Sequence, residues 1–312
     1  MNDDDVNSLI PDYNTMVLSG GGVKGLGILG ALQFLADQNK LCTVVKYIGT
    51  SVGAIIGYLI AIGYSPIEVM VNIYQKQIIE KVMNAVNVMD LMNHGGAVNF
   101  FVLQDILEDM TISKIGHLLT MEQLYNEFGK HLICCTYNHS KGVCEYLDYR
   151  NHPKLPCVIA LKMSSNFPFL FHPFFYEDST YIDGALLENF PISQLTEEDI
   201  AIGIRLGQPK QKVTTQKHKQ QPFDFIQHVF SILSISIEHS SRLSETQATY
   251  KPKDTVPILL DLDVFQWSMT MTDKFNAFSV GYETIKNYYQ LDYIVPYSYV
   301  IRNNVDNDIV KD

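Results

Sequence analysis

The sequence predicts an α/β fold with a parallel sheet, and three observations carry that reading. Thr15-Met16-Val17-Leu18 is a β-rich run that empties into Ser19-Gly20-Gly21-Gly22, a strand feeding a glycine loop. Behind the loop, Leu26, Leu29, Leu32 and Leu35 recur at helical spacing as far as Asp37. The same order then repeats, with a strand from Thr43 to Ile48 and an apolar helix from Val52 to Ile62. Successive strand–helix units need crossover connections, and those give parallel strands in a layered fold.

The remaining elements follow in chain order. Ser65-Pro66 opens a third helix, with proline at a first-turn position where its missing N–H costs nothing. Met92 to Val98 reads as a loop, and Thr120 with Gln123 forms a capping box ahead of a short helix. Leu132–Thr136 and Val143–Leu147 flank Asn138-His139-Ser140-Lys141-Gly142, the pattern of a hairpin with a long turn. A helix from about Pro156 to Met163 leads into an aromatic stretch, Phe167 to Tyr176. Tyr181-Ile182 precedes Asp183-Gly184, and Ile200 to Leu206 reads as another buried strand. An amphipathic helix (Phe223 to about Glu245), a strand (Pro257 to Phe265) and a final helix (about Thr272 to Tyr289) close the chain. The economical organisation is an acidic N-terminus at 1–12, one domain at 13–290 with an exposed Lys/Gln-rich loop at about 207–222, and a tail at 291–312.

Composition narrows the function classes. Of 312 residues 46% are hydrophobic and 18% charged, which excludes intrinsic disorder. A net charge of −11 makes nucleic acid an unexpected partner. Five cysteines, an odd number without framework spacing, argue against a disulfide-stapled secreted domain and for a reducing compartment. The acidic start MNDDDVNSLIPDY is unlike a signal or transit peptide, so a cytoplasmic or otherwise intracellular location is expected. Tyr47 to Ile67 carries no charge over 21 residues, but its apolar part, Val52 to Ile62, is too short to span a bilayer. A buried core helix is the expectation there. Composition leaves the oligomeric state open.

Three places carry chemistry. Gly20-Gly21-Gly22-Val23-Lys24-Gly25 contains G-x-G-x-x-G between strand and helix, yet the next strand offers no carboxylate for a ribose, so the dinucleotide reading fails. A P-loop fails as well, because Leu26 stands where its lysine belongs. What survives is a cluster of backbone N–H groups at a helix N-terminus, suited to an oxyanion. Gly49-Thr50-Ser51-Val52-Gly53 is a G-x-S-x-G nucleophile elbow, again between strand and helix. Asp183-Gly184-Ala185 offers a carboxylate. A Ser-His-Asp triad would need a histidine on a short loop after a strand; His218, His228 and His239 do not qualify, and His94-Gly95-Gly96 follows the elbow where a lipase H-G-G loop precedes it. No His/Cys/Asp cluster has ligand spacing, so no metal and no cofactor are expected.

Taken in order, SGGGVKG, GTSVG and YIDGALLENFP resemble the motifs of the patatin-like phospholipases. Met163-Ser164-Ser165-Asn166-Phe167-Pro168 through Pro173 is similar to that family's serine- and proline-containing segment, and Asn189 with Pro191 to its N-x-P; the resemblance covers most of residues 13–290. Two departures are Lys24, where arginine is common, and Ala185, where a second glycine is common. The resemblance implies a three-layer fold with a mostly parallel central sheet flanked by helices. It implies a serine lipid acyl hydrolase of phospholipase A type, with Ser51 as nucleophile and Asp183 as its base, without a histidine. The amides of Gly20, Gly21 and Gly22 would form the oxyanion hole, and Lys24 would contact a head group or order the loop. A Ser-His-Asp esterase and a catalytically silent lipid-binding module are the alternatives. The implied partner is a phospholipid or other acyl lipid, reached by transient contact with a membrane surface. For that contact the candidates are Lys210, Lys212, Lys217 and Lys219, beside Phe223, Phe225, Ile226, Phe230 and Leu233.

Overall fold

The computed structural model describes residues 9–209, 225–262 and 269–292. In chain order the elements begin with β1 (Thr15–Leu18), a 3-10 turn (Gly22–Lys24), α1 (Gly25–Asp37), β2 (Lys46–Thr50), α2 (Val52–Ala61), α3 (Pro66–Gln75), α4 (Ile78–Asn84) and α5 (Val88–His94). Then come β3 (Gly96–Val98), α6 (Phe101–Ile115), α7 (Met121–Phe128), β4 (His131–Asn138), β5 (Val143–Leu147), α8 (Cys157–Ser165), β6 (Phe169–Phe171) and β7 (Phe174–Tyr176). The chain continues with β8 (Ser179–Asp183), α9 (Ala185–Glu188), β9 (Ala201–Gly207), α10 (Phe225–Gln247), β10 (Asp254–Leu259) and α11 (Met271–Asp292).

The expected α/β architecture is present: a mostly parallel sheet in the order β10-β9-β1-β2-β4-β8-β7, with β5 on β4, and helices on both faces. From β10 to β4 every pairing is parallel. One feature of the register positions the site. β5 occupies one edge of β4, so β2 and β8 share the other edge in succession. Thr50 of β2 pairs with Cys135, and Asp183 of β8 pairs with the next residue, Thr136. β2 runs parallel to β4 and β8 antiparallel, so their carboxyl ends meet head to head. Ser51 and Asp183 follow from that meeting.

The core lies mainly between the sheet and α1, α2 and α8, with Met16, Leu18, Ile28, Leu32, Tyr47 and Tyr58 fully buried. A smaller cluster of Val17, Ile48, Ile133 and Phe190 covers the other face. Helix α11 crosses α1 at backbone contact: a Cβ on Gly30 would lie 1.8 Å from the Phe278 carbonyl oxygen, and one on Gly281 1.9 Å from that of Gly27. Ser65 caps α3 in a complete capping box with Glu68, behind the expected proline.

Several boundaries differ from expectation, each for a local reason. β2 starts at Lys46 and runs on through Gly49 and Thr50, because those two residues still pair with Cys134 and Cys135. Met92 to Val98 is not a loop. Asn87 accepts from the Met89 N–H and starts α5, Gly95 in left-handed conformation ends it, and β3 then pairs with β6. Helix α6 escaped notice because its apolar residues are spread around it: Ile106, Leu107 and Met110 are buried while Phe101 and Ile112 are exposed. The last strand starts at Asp254, three residues ahead of Pro257. No single helix among the described residues is long and apolar enough to cross a membrane, and α2 is packed in the core.

Candidate active site

Ser51 stands between β2 and α2 with φ 55° and ψ −126°, a left-handed conformation that a side chain adopts at a cost of order 1–3 kcal/mol. The turn is this tight because its flanking residues have no side chains. A Cβ on Gly49 would lie 2.5 Å from the Ala54 nitrogen, and one on Gly53 2.4 Å from the Leu18 carbonyl oxygen. Two further bonds hold it. The Ser51 N–H donates to Ser164 Oγ (3.0 Å), which itself donates to the Cys135 carbonyl (2.6 Å). Thr50 Oγ1 donates to the Glu188 carbonyl at 2.9 Å.

Asp183 ends β8 and is 1% exposed. Its Oδ1 accepts the Ala185 N–H at 2.8 Å, and its carboxylate is hydrogen-bonded to the Ser51 side chain. Burial pushes the carboxyl up to about 7, against the smaller opposing effects of those two bonds. A carboxylate with affinity for a proton near neutrality is matched to general-base work, unlike an ordinary exposed aspartate.

Gly20, Gly21, Gly22, Lys24, Ser51 and Asp183 all line one cavity of about 1480 Å³. The 3-10 turn starts at Gly22, whose φ of 55° suits glycine, and the amides of a helix's first turn have no partner within the helix. Gly20 differs from its two neighbours. Its N–H already donates to the Asn189 carbonyl at 3.1 Å, so it is unavailable to an oxyanion. Lys24 is buried at 4% exposure in the cavity wall, and its backbone N–H closes on the Gly21 carbonyl at 3.1 Å.

Away from Ser51 the cavity is apolar. Val52, Ile55, Ile56 and Leu59 present one face of α2 to it, opposed by Leu103, Leu107 and Met110 of α6. That spacing is the stripe of an amphipathic helix. Leu59 stands about 12 Å along the axis from Ser51 at 1.5 Å per residue. The polar end carries Arg205, Gln208, Glu238 and Arg242, with Arg205 paired to Glu245 at 2.9 Å.

No histidine among the described residues lines this cavity. His94 ends α5 and packs its ring 5.2 Å from that of His172, while His239 lines a separate cavity beside Ser236 and Leu243. Lys210, Lys212, Lys217, Lys219, His218 and Phe223 lie outside the described residues, as do the side chains of Phe225, Ile226, His228 and Phe230. Among the described residues no group of His, Cys, Asp and Glu is arranged to hold a metal ion. Sequence reasoning assigned no role to Ser164, Ser165 or Asn189. The last two line the cavity with a buried side-chain oxygen that has no partner among the described residues.

Comparison with known proteins agrees with this architecture. Residues 16–196 match the model of the family described as patatin-like phospholipase. The chain is 32% identical over 203 residues to a probable lipid hydrolase, 463L, of Invertebrate iridescent virus 6, covering 64% of this chain and 67% of the relative. It is 25% identical over 275 residues to the uncharacterized protein R571 of Acanthamoeba polyphaga mimivirus, covering 87% and 92%. Among solved structures, VipD from Legionella pneumophila superposes with a TM-score of 0.55 at 17% identity, covering 90% of this chain and 67% of VipD, a likeness of fold. With a family match over more than half its length and a lipid hydrolase among its relatives, this chain belongs to the patatin-like phospholipase family, a family of lipid hydrolases.

Proposed function

We propose that the protein is a serine lipid acyl hydrolase of phospholipase A type, cleaving acyl esters of phospholipids by a Ser51–Asp183 dyad. The observation that carries this reading is a strained serine hydrogen-bonded to a buried aspartate at the head of a long apolar cavity. Asp183 takes the proton of Ser51 Oγ as that oxygen attacks the acyl carbonyl. The N–H groups of Gly21 and Gly22 receive the negative charge that develops on the carbonyl oxygen, aided by the dipole of α2. The lysolipid alkoxide leaves with the proton from Asp183. Water then attacks the acyl-serine, gives its proton to Asp183, and Ser51 Oγ recovers that proton as the fatty acid departs.

The cavity's size supports a long acyl chain, since drug-sized ligands occupy about 300–1,000 Å³. Its lining gives that chain an apolar wall of Leu, Ile and Val, and the Lys24 backbone N–H closes the glycine loop onto the Gly21 carbonyl. The test is turnover of a phospholipid panel by purified protein, with Ser51→Ala as control and a fluorophosphonate probe as reporter. Release of fatty acid that Ser51→Ala abolishes, with probe mapped to Ser51, is the expected result. Labelling of another serine in active protein, or a histidine whose replacement matches the loss at Ser51, would overturn it.

A further inference from the structure

One amide of the glycine loop is spent inside the protein, and the residue that consumes it carries a spare amide of its own. Gly20 N–H donates to the backbone carbonyl of Asn189. The Asn189 side chain is 6% exposed and lines the cavity that holds Ser51. Its Oδ1 has no hydrogen-bond partner among the described residues. A Cβ placed on Gly20 would lie 2.5 Å from that oxygen and 3.2 Å from the Ser51 Cβ. The amide therefore packs over the bare Cα of Gly20, next to the nucleophile's own carbon.

An unpaired buried amide costs about 1–3 kcal/mol, and an apolar side chain of similar size would fill the same space without that cost. Its persistence at this one position needs a partner that arrives with the reaction. The side-chain amide offers two N–H donors on one end and an acceptor on the other, and a half-turn about χ2 exchanges the ends. The only charge that develops next to Ser51 on the substrate side is negative, on the former carbonyl oxygen. That charge selects the amino end.

We propose that Asn189 is a further catalytic residue, its side-chain amino group donating a hydrogen bond to the oxyanion of the tetrahedral intermediate in place of the Gly20 amide. This rests on the acyl-transfer reading of Ser51. As the Ser51 Oγ–carbon bond forms, the carbonyl π pair moves onto oxygen and the serine proton passes to Asp183. As the pair returns, the bond to the lysolipid oxygen breaks and that oxygen takes the proton. Asn189 acts on the oxygen in both steps and exchanges no proton. The requirement for glycine at position 20 then has a second reason, because any side chain there would displace the amide.

The experiment compares wild type, Asn189→Ala and the near-isosteric Asn189→Asp on a long-chain acyl ester. It also compares them as binders of an alkyl trifluoromethyl ketone, which adds a serine to give an anionic hemiketal, and of a free fatty acid. The expected result is a fall in kcat of about 10²-fold with KM within about threefold, the signature of a donor used only in the transition state. Ketone affinity should fall by the same factor as kcat/KM while fatty-acid affinity stays constant, and Asn189→Asp should be at least as impaired as Asn189→Ala. Losses in kcat below about fivefold would overturn the proposal. So would a large loss in kcat with unchanged ketone affinity, or failure of both variants to fold, either of which makes Asn189 a scaffold residue. Absence of any Ser51-dependent turnover in wild type would instead overturn the acyl-transfer reading, and this proposal with it.

Discussion

Asp183→Asn should abolish turnover and, in the same molecule, stabilise the fold above neutral pH. The carboxyl is held at about 7 in the native state against an ordinary value of 3.8, mainly because burial disfavours its charged form. Below the unfolded value both states are protonated and the group contributes nothing to the pH dependence. Between 3.8 and about 7 the native state holds a proton that the unfolded chain has released, so stability falls as pH rises through that window. At 1.36 kcal/mol per unit, the full shift amounts to about 4 kcal/mol lost by pH 8, an upper figure because the site relaxes around its charge. Asparagine keeps the volume and the acceptor for the Ala185 N–H but never ionises.

The assay is urea unfolding of wild type and Asp183→Asn at pH 5 and pH 8, with the difference between the two proteins taken at each pH so that every other titration cancels. The difference should move in favour of the variant by up to about 2.6 kcal/mol between the two conditions, because part of the loss is already present at pH 5. In parallel, wild-type kcat/KM should climb with pH through about 7 as the base of the free enzyme ionises, and level off above it. Parallel stability curves for the two proteins would refute the reasoning, because they would mean that Asp183 titrates alike folded and unfolded.

Other positions give sharper, smaller tests. Gly53→Ala puts a Cβ 2.4 Å from the Leu18 carbonyl oxygen, so it should cost about 3 kcal/mol or more in urea unfolding and remove activity with it. Ser164→Ala leaves the Ser51 N–H and the Cys135 carbonyl without their shared partner, at about 1–3 kcal/mol, and kcat should drop while cavity-filling fatty acids still bind. Met110→Trp fills the cavity wall facing α2, so palmitoyl esters should be lost as substrates while butyryl esters are turned over as before; equal loss of both would remove the deep cavity as the acyl site.

Legibility in the sequence followed the range of the interactions involved. β1, the glycine loop, α1 and α2 were readable because each is set by neighbouring residues: branched side chains, glycines at a turn, leucines one helical turn apart. The candidate serine was readable from the glycines that flank it, although only Gly49 is needed by a contact within the turn itself; Gly53 is needed by the Leu18 carbonyl of β1, a contact between distant parts of the chain. Helix α6 was not, because its buried side is defined by other helices, α2, α4 and α8, and leaves Phe101 and Ile112 exposed. Asp183 was visible as a motif, and its pairing with Ser51 came from the family resemblance and not from the local pattern of the chain. That adjacency depends on β8 filling the edge of β4 that β2 vacates, a pairing across residues far apart in the chain. Ser164 and Asn189 were hidden further still, because their contacts are hydrogen bonds with backbone groups of distant segments: Ser164 Oγ with Ser51 and Cys135, and the Asn189 carbonyl with Gly20.

Several unfavourable features line the cavity, although others, such as the left-handed backbone of Phe169 and the unpartnered Oδ1 of Asn166, lie outside its lining. A non-glycine residue at φ 55°, an aspartate at 1% exposure, and oxygens of Ser165 and Asn189 that have no hydrogen-bond partner among the described residues all line a single cavity. The strained backbone and the unpartnered oxygens cost of order 1–3 kcal/mol each, and sequence drift toward stability would remove such features one by one. By contrast, a buried group elsewhere such as Asp148 is held well below the usual carboxylate range by bonds from His131, Arg150 and backbone N–H groups, so its burial is compensated. On the proposed acyl-transfer reading, the partners of the cavity groups belong to a reacting ester: a proton for Asp183, a carbonyl carbon for Ser51, an oxyanion for Asn189. On this reasoning a bound transition-state analogue should raise stability by more than its apolar contacts with the acyl cavity provide, and Asp183→Asn with Asn189→Ala should remove the excess.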